Sequence, residues 1–340
     1  MKKLIGYVGT RDLQDVREED IRALDVINIA FGHVVDGSIV WDGSEKKEAL
    51  KRLREKNPEL KILLSVGGWS AGGFSLASRT EEGRKKMAQT GLALVEEYGL
   101  DGIDIDWEYP GTSIAGIDSD PSDGENFVLL LAALREALGG WSGGKMVTIA
   151  AGGDGYFTLQ TDMGKAAEYL DYVQLMTYDL QGGFQKVTGH HAALYHSRCN
   201  LIDACGHKCT QNFHQAGVPM EKLILGVPFY SRKWDGVMPG SMYGLGMEAQ
   251  TVGGYGPDYT ELTAGYIDKN GFVRHWDDQA GVPWLYDGKT FISYEDEQSL
   301  ANKVNYVKDN GLGGIMYWEY RSDGTHTLTE YLRRSLDGER

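Results

Sequence analysis

The chain has 340 residues, of which 41% are hydrophobic and 24% charged, a composition typical of a globular protein with a sizeable core. Its formal net charge of −15 disfavours nucleic acid and anionic membranes as partners, because both are bound through clusters of Lys and Arg. No apolar run approaches the roughly 18 residues that a membrane-spanning helix needs.

The first residues, 1–9, are basic and then apolar, and this apolar part is too short for a secretory signal. It predicts a first strand instead. We therefore expect a protein that is cytoplasmic as written, or secreted after removal of a signal. We expect a monomer that binds neither nucleic acid nor a membrane.

Short β-rich runs alternate with helical patterns along the rest of the chain. Eight candidate strands occupy residues 4–8, 26–31, 62–66, 102–108, 147–151, 172–178, 223–229 and 314–318. Candidate helices lie between them at residues 45–56, 81–98, 125–138, 201–216 and 296–308. Eight strands with intervening helices predict an α/β fold, the (β/α)8 TIM barrel, in which each strand is parallel to the next.

The interval between the seventh and eighth strands is too long for one helix and its loops. Residues 231–294 are rich in Gly and Tyr and contain the turn pairs Gly253-Gly254, Asn270-Gly271 and Asp287-Gly288, of which the last two are typical of β-hairpins. We predict a small α+β insertion domain at 231–294 and a catalytic barrel at 1–230 and 295–340. The insertion follows the C-terminal end of a strand, so it would flank the barrel mouth, where such barrels hold their active sites.

The fourth strand carries a row of acids. Asp104, Asp106 and Glu108 alternate with Ile103, Ile105 and Trp107. Side chains of a strand alternate between its faces, so the acids share one face and the apolar residues pack on the other. Pro110 ends the strand and leaves Glu108 at its C-terminal rim. Carboxylates this close raise at least one pKa, which predicts that Glu108 holds a proton near neutral pH and acts as a general acid.

The row also matches a known pattern. Asp101, Asp104, Asp106 and Glu108 resemble the DxxDxDxE signature of glycoside hydrolase family 18, the chitinase family. Four further segments resemble family motifs at strand ends, in the family's order: Ser65-Val66-Gly67-Gly68-Trp69, Met176-Thr177-Tyr178-Asp179, Gly226-Val227-Pro228-Phe229-Tyr230-Ser231-Arg232 and Gly314-Ile315-Met316-Tyr317-Trp318. Together they cover nearly the whole chain.

The resemblance implies a substrate-assisted mechanism, in which the sugar's own 2-acetamido oxygen attacks the anomeric carbon and forms an oxazolinium ion. Glu108 would protonate the glycosidic oxygen and then act as base toward water. Asp106 would bind the acetamido N–H and share a proton with Asp104, while Tyr178 would orient the acetamido oxygen. Substrate-binding residues implied in the same way are Tyr7, Phe31, Trp69, Met176, Asp179, Tyr230, Arg232 and Trp318.

The predicted function is therefore that of a chitinase, which hydrolyses β-1,4 linkages of chitin or chitooligosaccharides with retention of configuration and without a cofactor. Two alternatives keep the mechanism and change the substrate: an endo-β-N-acetylglucosaminidase acting on N-glycans, or a peptidoglycan hydrolase. A third is a chitin-binding lectin without catalytic activity, which the presence of Glu108 disfavours.

One segment stands outside these motifs. Cys199, Cys205 and Cys209 lie close to His207 and His214, but their spacing matches no common zinc pattern, so we predict no metal site. A Cys199–Cys205 disulfide and free thiols both remain open. The pair at 190–191, two histidines, follows the sixth strand and lies either in the cleft or in a surface loop.

Overall fold

The computed structural model describes residues 1–338. In chain order the strands are β1 (Lys3–Gly9), β2 (Val26–Val35), β3 (Ser38–Val40), β4 (Lys61–Gly67), β5 (Gly102–Asp106), β6 (Met146–Gly152), β7 (Tyr172–Met176), β8 (Leu223–Pro228), β9 (Tyr230–Asp235), β10 (Gly254–Asp258), β11 (Val273–Asp277), β12 (Val282–Tyr286), β13 (Thr290–Ser293) and β14 (Gly314–Trp318). The helices are α1 (Glu18–Ala23), α2 (Lys47–Lys56), α3 (Phe74–Ser78), α4 (Glu81–Tyr98), α5 (Asp123–Ala137), α6 (Tyr156–Gln160), α7 (Met163–Ala166), α8 (Gly206–Gln215), α9 (Tyr259–Gly265), α10 (Glu297–Asp309) and α11 (Thr327–Asp337).

Eight parallel strands close into a barrel in the order β1-β14-β8-β7-β6-β5-β4-β2, with β2 pairing back to β1. The predicted (β/α)8 fold is therefore confirmed, and each of the eight predicted strands overlaps one barrel strand. The short β3 adds an antiparallel hairpin to β2 outside the barrel ring.

Alternating side chains divide the core into two layers. Inside the barrel a small cluster includes Ile5, Leu63, Ala150, Ile224 and Met316, all buried. The other face of each strand packs against the surrounding helices in a much larger cluster. Trp107 belongs to that outer cluster, where it is stacked on Phe74 of α3 at 5.3 Å between ring centroids and meets Phe127 of α5 edge-on. The predicted outward orientation of Trp107 is thus confirmed.

A second, antiparallel sheet follows β8 and has the strand order β10-β9-β13-β12-β11. A single residue, Phe229, separates the end of β8 from the start of β9, so the second sheet extends from the C-terminal mouth of the barrel. Asp287-Gly288 connects the β12–β13 hairpin, as predicted. Asn270-Gly271 instead connects α9 to β11, and the hairpin prediction there was wrong, because the positive φ angles that favour Asn-Gly also suit a helix-to-strand turn. The division into two domains stays a prediction, and residues 339–340 of its last segment lie outside the described residues.

The predicted helix at 201–216 is shorter than expected. It begins only at Gly206 in α8, because side chains fix the preceding loop: Asn200 donates to the His190 carbonyl at 2.9 Å, and Gln181 accepts from the Leu201 amide at 2.7 Å. Cys199, Cys205 and Cys209 are free thiols. Between residues 1 and 338 no helix is long and apolar enough to cross a membrane.

Candidate active site

Asp104, the deepest acid of the row, accepts hydrogen bonds from protein side chains at both of its carboxylate oxygens. Asp104 is buried in the middle of β5, where its Oδ2 accepts from the Tyr7 hydroxyl at 2.8 Å and from Ser65 Oγ at 2.7 Å. Its Oδ1 accepts from Thr148 Oγ1 at 2.7 Å and from Gln174 Nε2 at 2.8 Å. Burial raises the pKa of Asp104, and these four hydrogen bonds act in the opposite direction by stabilising the carboxylate.

The next acid lacks such partners. Asp106 is 4% exposed, and its Oδ1 is buried without a hydrogen-bond partner among residues 1–338. Burial, and then the charges of Glu108 and Asp104, raise its pKa well above the ordinary value. No hydrogen bond joins Asp106 to Asp104 in the described part of the chain, so the sharing of a proton between them stays a prediction.

The last acid of the row faces the barrel mouth. β5 ends at Asp106, two residues earlier than predicted, and Glu108 lies half-buried in the turn that follows. The pKa of Glu108 is raised to about 7, chiefly by burial, while the Tyr109 hydroxyl opposes the shift and the charge of Asp179 adds to it. A carboxylic acid that is partly protonated at neutral pH can donate a proton and later accept one.

Tyrosine hydroxyls surround these acids. Burial, followed by the charges of Asp106 and Glu108, raises the pKa of Tyr178 well above its ordinary value. Tyr178 follows β7 directly, and its ring meets the ring of Tyr230 edge-on at 6.1 Å. Its hydroxyl is therefore a neutral hydrogen-bond donor at physiological pH.

An ion pair also lines the mouth. Arg232 of β9 donates from Nε to Asp179 Oδ1 at 2.6 Å, and His191 Nδ1 lies 3.5 Å from the same oxygen. Although burial opposes ionisation, His191 and Arg232 hold the pKa of Asp179 below its usual range. The guanidinium also lies 4.1 Å above the ring of Tyr255. Asp179 is thus a fixed negative charge.

These groups line one cavity of about 610 Å³ at the C-terminal mouth of the barrel. Its floor is aromatic, because Trp318 is stacked on Phe31 at 5.4 Å between ring centroids and lies 5.6 Å from the ring of Tyr7. Trp69, which also lines the cavity, is 51% exposed. Flat aromatic rings in the same cavity as buried acids form a surface that suits a sugar ring, whose apolar face stacks on the rings while its hydroxyls form hydrogen bonds.

The family model for glycosyl hydrolases family 18 matches residues 3–323. The chain belongs to this family. Chitinase A1 of Niallia circulans is 38% identical in a 310-position alignment that covers 84% of this chain and 44% of that protein. Chitotriosidase-1 of Mus musculus is 32% identical in a 317-position alignment that covers 85% of this chain and 66% of that protein. The chain thus spans less than half the length of that bacterial chitinase.

Solved family 18 structures share the whole fold. A glycoside hydrolase family 18 N-acetylglucosaminidase from Paenibacillus barengoltzii superposes with a TM-score of 0.96 at 48% identity, over 99% of this chain and 100% of that one. The Ostrinia furnacalis Group IV chitinase superposes with a TM-score of 0.86 at 28% identity, over 99% of this chain and 100% of that one.

The structure brings the predicted family 18 site residues together. All of them line the cavity except Asp104, which lies beneath it: Tyr7, Phe31, Trp69, Asp106, Glu108, Met176, Tyr178, Asp179, Tyr230, Arg232 and Trp318. Asp101 lies apart at the start of β5, where it accepts from the Ile62 amide at 2.8 Å and pairs with Arg54 at 2.6 Å. The chemical roles of the cavity residues stay predictions.

Several lining residues had not been predicted. They come mostly from loops: Tyr109, Ile114, Ala150, Gly152, Gly153, Asp154, Leu180, Gly183, Phe184, Gln185, Ile202 and Tyr255. Phe184 and Tyr255 are each 70% exposed. In the sequence, the one available signal for Phe184 was a large ring a few residues after the motif that ends at Asp179. The donors to Asp104 from Ser65, Thr148 and Gln174 were missed as well, because each is a single polar residue on a different strand.

Both histidines at 190–191 are fully buried. His190 Nε2 lies 3.1 Å from Oδ2 of Asp277, a residue that does not line the cavity. His191 Nδ1 lies 3.5 Å from Oδ1 of Asp179, which does. Neither lines the cavity wall, so the cleft and the surface-loop interpretations were both wrong. Loops at a barrel mouth can themselves be packed over by an insertion, and here the second sheet covers this one.

Proposed function

We propose that this chain is a chitinase that hydrolyses β-1,4 linkages between N-acetylglucosamine units of chitin or chitooligosaccharides, with retention of configuration. The observation that carries the proposal is the arrangement of Glu108 above Asp106. The first is a half-buried acid with a pKa raised to about 7 by burial, and the second is a buried carboxyl group with an oxygen that has no partner among residues 1–338.

In the proposed first step Glu108 donates its proton to the glycosidic oxygen. The acetamido N–H of the sugar supplies the donor that Asp106 Oδ1 lacks, and the Tyr178 hydroxyl donates to the acetamido oxygen. These two contacts aim the oxygen at the anomeric carbon, while Trp318 supports the ring from below. In the second step Glu108, now ionised, takes a proton from the water that opens the oxazolinium ion.

The other carboxylates at the cavity, Asp104 and Asp179, are poor nucleophiles, which supports attack by the substrate's own amide. Asp104 is held by four donors beneath the cavity, and Asp179 is paired with Arg232. A carboxylate that already accepts strong hydrogen bonds is a poor nucleophile. The second sheet contributes Tyr230, Arg232 and Tyr255 to the cavity wall, which supports an insertion domain that deepens the cleft.

The test is Glu108→Gln with chitotetraose as substrate. We expect kcat to fall by about two to four orders of magnitude, since the acid and base are both lost, while the oligosaccharide still binds. Glu319→Gln is the matched control: Glu319 also follows a barrel strand and burial also raises its pKa, but it does not line the cavity. Retained activity in the first variant, or α-anomeric products from the wild type at early times, would contradict the proposal.

A second candidate is an N-acetylglucosaminidase that releases single sugars, because the similar Paenibacillus barengoltzii structure carries that description and matches over its full length. The initial products from chitohexaose separate the two. Monomer as the first and dominant product supports the N-acetylglucosaminidase, and dimers with longer fragments support the chitinase.

A further inference from the structure

His191 is fixed behind the cavity by its own backbone. Its amide donates to Ser293 Oγ of β13 at 3.0 Å, and its carbonyl accepts from the amide of Leu180 at 3.0 Å. Leu180 is the residue next to Asp179. The ring packs against Tyr230 of β9 at 5.4 Å between centroids and is 0% exposed. The backbone of His191 therefore connects the second sheet to the segment that carries Asp179.

The imidazole of His191 lies beside the carboxylate of Asp179. Nδ1 lies 3.5 Å from Asp179 Oδ1, and both ring nitrogens are buried without a hydrogen bond of ordinary geometry among the described residues. A neutral imidazole carries one hydrogen. If Nδ1 carries the hydrogen, the N–H faces the carboxylate of Asp179. If Nε2 carries it, the lone pair of Nδ1 faces that carboxylate instead, and the Nε2–H is a buried donor without an acceptor.

Charged groups reach this imidazole from three elements. Asp179 follows β7, Arg232 comes from β9, and Lys303 comes from α10 with its ammonium held by Glu295 at 2.5 Å. Burial lowers the pKa of His191, Asp179 opposes this, and Arg232 and Lys303 reinforce it. The imidazole is therefore neutral at physiological pH, in keeping with a donor rather than a second cation.

We propose that His191 is a positioning residue, which donates a hydrogen from Nδ1 to Asp179 and so fixes that carboxylate beside Arg232 at the cavity wall. The proposal rests on the proposed function for its consequence in catalysis. The negative charge of Asp179 raises the pKa of Glu108. The other titratable neighbours of Glu108 are Asp106, Tyr109 and Tyr178. A residue that never touches substrate would thereby help to set the proton affinity of the general acid.

The catalytic test compares pH profiles of kcat/KM on chitotetraose. His191→Leu removes the donor, and we expect kcat/KM at pH 6 to fall by about tenfold. The acidic limb should move to higher pH because ionised Asp179 loses a donor, and the alkaline limb to lower pH because a loosened Asp179 acts less on Glu108. His191→Gln keeps an N–H and should restore most of both limbs.

The matched control is His190→Gln. His190 is equally buried but bonds to Asp277 outside the cavity, so its replacement should leave both limbs in place. Unmoved limbs in His191→Leu, or equal movement in the control, would overturn the proposal, since both outcomes indicate a packing role only.

A second measurement needs no turnover and no variant that folds poorly. In wild-type protein labelled with ¹⁵N-histidine, we expect the His191 ring to show the neutral Nδ1–H tautomer at pH 7 to pH 8. An Nε2–H tautomer in that range would refute the proposed donor. If the wild type cleaves no N-acetylglucosamine oligomer, the proposed function fails, while the tautomer still decides the role of His191.

Discussion

The raised pKa of Glu108 has a cost in stability that can be measured. Burial raises this pKa from an ordinary 4.5 to about 7 in the folded chain. The folded state therefore holds the proton more tightly than the unfolded state, and the resulting stabilisation is lost as pH rises from about 4.5 through 7. A shift of this size corresponds to roughly 3 kcal/mol at pH 8, taking about 1.4 kcal/mol per pKa unit. Glu108→Gln stays neutral and should escape this loss.

Calorimetry at pH 5 and pH 8 tests the reasoning. Near pH 5 the variant and the wild type should melt within about 1 °C of each other, because Glu108 is then neutral in the folded state and pH 5 lies only slightly above its ordinary pKa of 4.5 in the unfolded state. At pH 8 the variant should melt higher by about 4 °C, from roughly 3 kcal/mol and an unfolding entropy of about 2 cal/mol/K per residue. Glu59→Gln, at an exposed carboxylate, is the control and should show no such pH dependence. An equal difference at both pH values for Glu108→Gln would refute the buried-acid interpretation.

Three further predictions concern the same cavity. Above a pH of about 7, kcat/KM should fall roughly tenfold per pH unit as Glu108 loses its proton, and a flat profile to pH 9 would contradict its role as acid. Thr148→Val removes one of four donors to Asp104 and should lower the free energy of unfolding by about 1–3 kcal/mol in urea; an unchanged midpoint would show that the hydrogen bond is dispensable. Trp318→Ala removes the cavity floor and should lower kcat/KM by about ten- to a hundredfold, whereas Trp141→Ala, at an exposed ring that does not line the cavity, should not.

Most of the fold could be predicted because its signals are local. Each barrel strand is a short apolar run bounded by turn residues, and its ends differ from the predicted ones by only a few residues. The acid row on β5 was also local, since strand alternation alone assigns Ile103 and Trp107 to the helix-facing side. The cavity residues were found through motifs, which the resemblance to family 18 supplied, rather than through composition.

The rest of the site depends on long-range contacts. Tyr7, Ser65, Thr148 and Gln174 converge on Asp104 from four other strands, across sequence separations that no local pattern spans. Their register follows from barrel closure, which the sequence indicates only as a strand count. The cis peptide bonds at Ala30-Phe31, Glu108-Tyr109 and Trp318-Glu319 likewise have no local signal, since in none of them is the second residue a proline.

Depth in the barrel, rather than residue type, distinguishes the acids of the row. Asp104 and Asp106 are the same residue on the same face and are both buried, yet the first accepts four hydrogen bonds and the second has an oxygen with none in the described chain. Burying a carboxylate oxygen without a hydrogen-bond donor is unfavourable in free energy. A ligand N–H that donates to Asp106 removes this unfavourable contribution and so favours binding. A sugar with a free amine could supply this N–H but has no carbonyl oxygen to attack the anomeric carbon. We therefore expect glucosamine at this position to bind without being cleaved, which makes the acetyl group a requirement of the chemistry rather than of affinity.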